Sequence, residues 1–224
     1  MATKKFTIGD ALRFGWDNFK GNMGIFIGLI LIIGLITFLI SFIENNIDSY
    51  FLKFIIGLVR FVVMTFLGLG FLKITLKVYD KKSFAIGDLF SCSSVFLNGL
   101  IASILYAIMT GIGFLLLIIP GVILGIMFQF WGYFIVESNL GPIEAFKKSK
   151  EITTGYKMDL FLLAIIFLFL NMLGGIFFLI GLLITVPITI LAYAYIFRKL
   201  TSDEEIPQDT GSVTETTEEA PETA

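Results

Sequence analysis

Four polar residues stand within or at the edge of stretches that are otherwise apolar: Arg60, Gln129, Glu137 and Asn171. A charged group at membrane depth costs about 2.5–3.5 kcal/mol on insertion scales, and it marks a substrate path, a proton relay or a helix–helix tie. Arg60 follows Lys53 by only two helical turns, so its guanidinium can snorkel towards Glu44 or Asp48. Gln129 and Asn171 are amides of the kind that bond between helices, with the lining of a polar path as the alternative. Glu137 ends an apolar run and is expected to pair with Lys147, Lys148 or a residue of an amphipathic lead helix. Proton coupling through its carboxylate is the competing role.

Other chemistry is missing. The chain has no histidine and a single cysteine, Cys92, so the commonest general base, an intrachain disulfide and a thiolate metal cluster are all excluded. No Walker loop, HExxH or G-x-S-x-G pattern occurs. The acids of residues 1–200 are scattered singly among lysines and read as solvated interfacial charges. The expectation is a protein that is not an enzyme and holds no cofactor or metal. An enzyme acting on lipids would need a carboxylate cluster at the inner headgroup level, with Glu137 and Glu144 as the pair to test.

The elements that position these residues follow from charge. No Asp, Glu, Lys or Arg occurs in the 48 residues from Leu89 to Val136, or in the 38 from Leu160 to Phe197. A bilayer core needs about 20 apolar residues per helix, so each window accommodates two spans. Charged residues make up 15% of the chain, against roughly 25% in ordinary globular domains. The reading is an all-α polytopic membrane protein with spans at 24–43, 51–72, 98–118, 121–136, 160–177 and 183–197. The N-terminal apolar stretch has no A-x-A-like site and reads as a retained span rather than a signal peptide. With six spans, Lys4, Lys5, Arg13, Lys20, the lysines of 73–82 and 147–157, Arg198 and Lys199 all fall on one side. The positive-inside rule then puts both termini in the cytoplasm of a prokaryote, at its plasma membrane. The last 24 residues hold eight acids and no Lys or Arg, and they lack the apolar content to offset ordering. Residues 201–224 are expected to be a disordered acidic tail. Without them the body has 16 basic and 10 acidic residues, which suits an anionic leaflet.

A threefold repeat is the most specific pattern. FTIGDALRFGWDNFKG, FAIGDLFSCSSVFLNG and LGPIEAFKKSKEITTG each carry an acid four residues from the start: Asp10, Asp88 and Glu144. A small residue follows at Gly15, Ser93 and Ser149, and a glycine at Gly21, Gly99 and Gly155. Each segment runs into a long apolar stretch, which gives units at about 6–79, 84–137 and 140–199. Each unit reads as an amphipathic interfacial helix followed by a helical hairpin. The acid falls in the first turn, with Thr7 as N-cap of the first copy. Ile8, Leu12 and Phe19 form the apolar face, and the glycine permits the change from in-plane to spanning direction. Pro120 and Pro187 are expected at the turns of the second and third hairpins, since proline cannot continue a helix. The GxxxG matches at Gly24/Gly28 and Gly121/Gly125 are no more than chance gives among 22 glycines.

IIPG at 118–121, Glu137, GPIEAFKKS at 141–149, Gly155 and TVP at 185–187 resemble the membrane-domain family named after glycerophosphoryl diester phosphodiesterase, and related bacterial and archaeal membrane families of unknown function. The likeness covers most of residues 1–200. It implies architecture without catalysis, because the spans and the tail leave no length for a phosphodiesterase barrel. The expected role is a membrane-organising or accessory scaffold that meets anionic headgroups and a membrane or cytosolic protein partner, and no nucleic acid. The alternative is a small-molecule or lipid transporter or channel. Arg60, Gln129 and Asn171 facing one cavity would favour transport; the same residues paired between helices would favour the scaffold.

Overall fold

The computed structural model describes residues 6–176 and 180–202, and among them there is no strand. The helices are α1 (Ile8–Gly21), α2 (Met23–Asn45), α3 (Tyr50–Tyr79), α4 (Phe96–Leu116), α5 (Ile118–Phe128), α6 (Trp131–Ser138), α7 (Pro142–Thr153), α8 (Lys157–Ile176) and α9 (Leu182–Thr201). A short 3₁₀ turn, Ile86–Phe90, lies between α3 and α4. Six segments are long and apolar enough to cross a membrane: α2, α3, α4, α5 with α6, α8 and α9. Large apolar side chains such as Phe38, Phe51 and Phe54 are 64–70% exposed, a surface that water would expel and hydrocarbon accepts. The chain is a multi-pass membrane protein. The acidic tail lies, beyond Ser202, outside the described residues, as do Lys4 and Lys5.

Local sequence explains most boundaries. Thr7 caps α1, accepting from the Asp10 backbone N–H at 3.1 Å, while its hydroxyl donates to the Asp10 carboxylate at 2.6 Å. Ile8, Leu12 and Phe19 of α1 do turn inward, but the residues buried with Phe19 are Ala11 and Gly15, with Ile8 and Leu12 partly buried beside them. The reason is close packing on α9: a Cβ on Gly15 would lie 2.5 Å from the Ile188 carbonyl oxygen, so small residues define the contact. The second lead element is a five-residue 3₁₀ turn instead of an amphipathic helix. It sits on α3 at Gly70, where a Cβ would lie 1.9 Å from the Leu89 carbonyl oxygen. Lys77 of α3 donates to Asp88 at 2.7 Å and Lys73 to the Ser91 carbonyl at 3.4 Å. Both lysines therefore belong to a helix that runs to Tyr79, past the expected end of the second span.

The repeat glycines do three different jobs. Only Gly155, with φ +91°, makes a left-handed turn, between α7 and α8. Gly21 is the last residue of α1 and Gly99 lies inside α4 against Leu69. Neither proline marks a turn. The chain leaves α4 and enters α5 through the extended Leu117, and Pro120 sits in the first turn of α5, where a missing N–H costs nothing. Pro187 is inside α9, five residues past its start. Glycines set the close approaches instead. A Cβ on Gly113 would lie 2.9 Å from Gly121 and one on Gly121 2.6 Å from the Phe114 ring, while one on Gly181 would lie 2.4 Å from the Gly174 carbonyl oxygen and one on Gly174 2.5 Å from Thr185 Oγ1.

A cavity bounded by aromatic and ionic layers

The span expected over 121–136 is broken. α5 stops at Phe128 and α6 starts at Trp131, with Gln129 and Phe130 between them. Ser149 of α7 bridges this break: its Oγ accepts from the Phe130 N–H at 3.1 Å and donates to the Met127 carbonyl at 3.1 Å. Thr153, one turn on, also reaches Met127 O at 3.1 Å. Ser149 and Thr153 are fully buried. Sequence reasoning gave Ser149 only as a small residue of the repeat and did not find this bridge. The signal available was a Ser and a Thr four apart on the helix face that also carries Ala145 and Ile152.

Gln129 lines a cavity of about 970 Å³ among α2, α3, α4, α5, α6, α8 and α9. Its Nε2 is buried without a hydrogen-bond partner. The walls run from Leu72 and Ser103, about 10 Å in from the Tyr79 end of α3 and the Phe96 end of α4, to Phe114 and Gly121 at the far side. Among the described residues no Asp, Glu, Lys or Arg lines the space.

Towards the lysine-rich end the cavity gives way to aromatic rings. Tyr133 stacks on Phe197 with centroids 4.9 Å apart, and Phe130 lies 6.0 Å from each of these rings. Beyond them is an ion cluster. Arg198 of α9 donates to Asp80, at the end of α3, at 2.7 Å, and its other terminal nitrogen bonds Glu137 of α6. Lys82 adds a contact to Asp80 at 3.5 Å. Glu137 Oε2 and Arg198 Nε are buried without partners. Glu137 therefore pairs with Arg198 and not with Lys147, Lys148 or α1, because the ends of α3, α6 and α9 share one level. A fork-shaped guanidinium is what two carboxylates from two helices require.

The other intramembrane polar residues are tied elsewhere. Arg60 lies 3.7 Å from Glu44, across α2 and α3, in the direction its snorkelling predicts. Asn171 donates to Thr189 Oγ1 at 3.2 Å, joining α8 to α9. Arg60 and Asn171 do not line the cavity; Gln129 does. Glu144 lies in the first turn of α7, as Asp10 does in α1. The Asp88 carboxyl is held below its ordinary value by the Lys77 hydrogen bond and the Ala85 N–H. Burial pushes the Cys92 thiol up. Among the described residues no group of His, Cys, Asp and Glu could hold a metal ion.

No solved structure matches the chain. Uncharacterised proteins of Mycobacterium bovis and Mycobacterium tuberculosis are 25% identical to it over 236 aligned residues, covering 92% of this chain and 72% of theirs. These matches say nothing of the phosphodiesterase membrane family. The pattern of one family, a domain of unknown function (DUF7847), matches residues 19–216, and the chain belongs to that family.

Proposed function

We propose that this protein is a non-enzymatic component of a prokaryotic cytoplasmic membrane that organises or assists other proteins there. One observation carries the reading: of the polar residues Arg60, Gln129, Glu137 and Asn171, all but Gln129 are engaged between helices. Arg60 with Glu44, Asn171 with Thr189, and Arg198 with Asp80 and Glu137 tie pairs of helices together instead of lining a path. The termini are cytoplasmic in this reading, and the lysine-rich end faces anionic headgroups and a protein partner. The chain is three units, each a lead element followed by two antiparallel spans, arranged about a pseudo-threefold axis. The order α1, 3₁₀ turn and α7, each ahead of a pair of apolar helices, supports it. The resemblance to the phosphodiesterase membrane family enters here as a proposal about architecture alone. Native mass spectrometry of the protein in nanodiscs cut from its own membrane tests the role. A stoichiometric second protein supports it; a protein found alone at every concentration removes it.

A transport or lipid-handling reading is favoured by Gln129, which lines the cavity. Loss of solute or lipid movement in proteoliposomes on Gln129→Leu, with Asn171→Leu silent, would put that reading first.

A further inference from the structure

An open apolar surface is the ordinary state of a membrane helix, so the exposed leucines and phenylalanines of α2 and α3 say nothing by themselves about a partner. The charged pair among them does. Lys53 and Lys73 of α3 stand about 30 Å apart along the helix, the thickness of the hydrocarbon core. Arg60 lies between them, about 10 Å inward of Lys53. Its side chain keeps 42% of its surface exposed, and that of Glu44 keeps 33%. The two approach to 3.7 Å, beyond hydrogen-bond reach, and among the described residues the guanidinium has no other polar partner. A guanidinium at membrane depth needs acceptors from protein or from a water-filled space, and α2 and α3 supply only one distant carboxylate.

The surroundings leave room for a second source. Over residues 30–66 no residue is buried, whereas Leu29 and Leu67 on either side are. A Cβ on Gly34 of α2 or on Gly57 of α3 would meet nothing within 4 Å, so another helix can approach there. The missing acceptor is a carboxylate held at the level that Arg60 reaches, and this chain carries one in Glu44. A two-fold axis along the membrane normal sets every residue of two copies at equal depth. Arg60 of each copy then meets Glu44 of the other at the level of its own. The four charges alternate in sign, and each guanidinium fork serves two carboxylates. An anionic headgroup fits less well, because Glu44 beside Arg60 repels a phosphate.

We propose that the α2–α3 pair is an isologous interface between two copies of this chain, closed by Arg60 of each on Glu44 of the other. The inference goes beyond both readings above: it requires no second protein and no movement across the membrane.

Native mass spectrometry of the full-length protein released from vesicles of phosphatidylcholine and phosphatidylglycerol tests it. The native chain should be dimeric at high protein-to-lipid ratio and dissociate on dilution with lipid. Arg60→Glu alone and Glu44→Arg alone each set like charges across the two-fold axis, twice by symmetry, and should weaken the dimer about tenfold. Mixed together, the two variants should form a mixed dimer in preference to either homodimer, because each supplies the charge that the other lacks. Their masses identify it. A pair confined to one chain predicts no such preference. Arg60→Gln with Glu44→Gln in one chain removes both charges and should give a monomer that keeps its helical circular dichroism. A native protein that stays monomeric at every protein-to-lipid ratio, with or without bound phospholipid, overturns the proposal. So does a dimer that the charge variants keep, or a mixture without preference for the mixed species.

Discussion

Replacing Ser149 with alanine should destabilise the protein by about 2 kcal/mol, within the 1–3 kcal/mol of one buried group left unsatisfied. The hydroxyl closes two bonds at the α5–α6 break, one from the Phe130 N–H and one to the Met127 carbonyl. In Ser149→Ala the Phe130 N–H loses its acceptor inside the bundle. The Thr153 hydroxyl lies 2.9 Å from the Ser149 carbonyl and 3.1 Å from that of Met127, and it can turn its one proton to Met127, so the cost falls on one group and not two. Thr153→Val alone should cost less, because Ser149 still serves Met127. The double variant should then lose more than the two single costs combined, by about 0.5–1 kcal/mol, since each hydroxyl covers for the other. Reversible unfolding in mixed micelles gives these free energies, and amide exchange at Phe130 should accelerate in Ser149→Ala. A loss under 0.5 kcal/mol, or strict additivity in the double variant, would refute the bridge.

Removing Arg198 strands Glu137 and leaves Asp80 only Lys82, and both carboxylates keep only about a fifth of their side-chain surface exposed, so Arg198→Met should cost about 3 kcal/mol, with Glu137→Gln restoring part of it in the double variant; thermal unfolding of the three proteins decides this. Gly70→Ala drives a Cβ into the Leu89 carbonyl and should cost about 1–3 kcal/mol, lifting the 3₁₀ turn and making the buried Cys92 react faster with maleimide. Asp88 is held below its ordinary value in the folded protein, so its contribution is present above the unfolded value near about 3.9 and is lost as pH falls through the folded one. The stability gap between the native protein and Asp88→Asn should be constant at neutral pH and close only in acid, as equilibrium unfolding from pH 7 downward would show.

The spans were legible because hydrocarbon forbids charge, and a run without Asp, Glu, Lys or Arg can be counted. The cap at Thr7 and the pairing of Arg60 with Glu44 were legible because each joins groups at a spacing that a helix or a short loop fixes. The turns were not, because proline and glycine carry rules learned in water. In a membrane helix the bond that Pro187 removes is tolerated, and the chain turns at Leu117 because the apolar stretch has reached its far interface. The Glu137 partner was misplaced for a different reason. Lys147 and Lys148 are near in sequence, whereas Arg198 is 61 residues away and comes close only when α6 and α9 end together. The break at Gln129 carries no breaker at all, and its stabilising group, Ser149, lies on another helix.

The positions of the tight contacts explain why a large cavity persists. At one end Arg198 ties α9 to the ends of α3 and α6. At the other, Gly113 on Gly121 and Gly174 on Gly181 bring backbones together with no side chain between them. Helices fixed at both ends cannot slide inward, and a void collapses only where its walls are free to relax. Gly68, Gly121 and Gly125 add backbone but no side chain to those walls, so nothing from the helices fills the space. The ion cluster and the glycine contacts therefore do more than hold the bundle together: they keep open the volume that Gln129 lines.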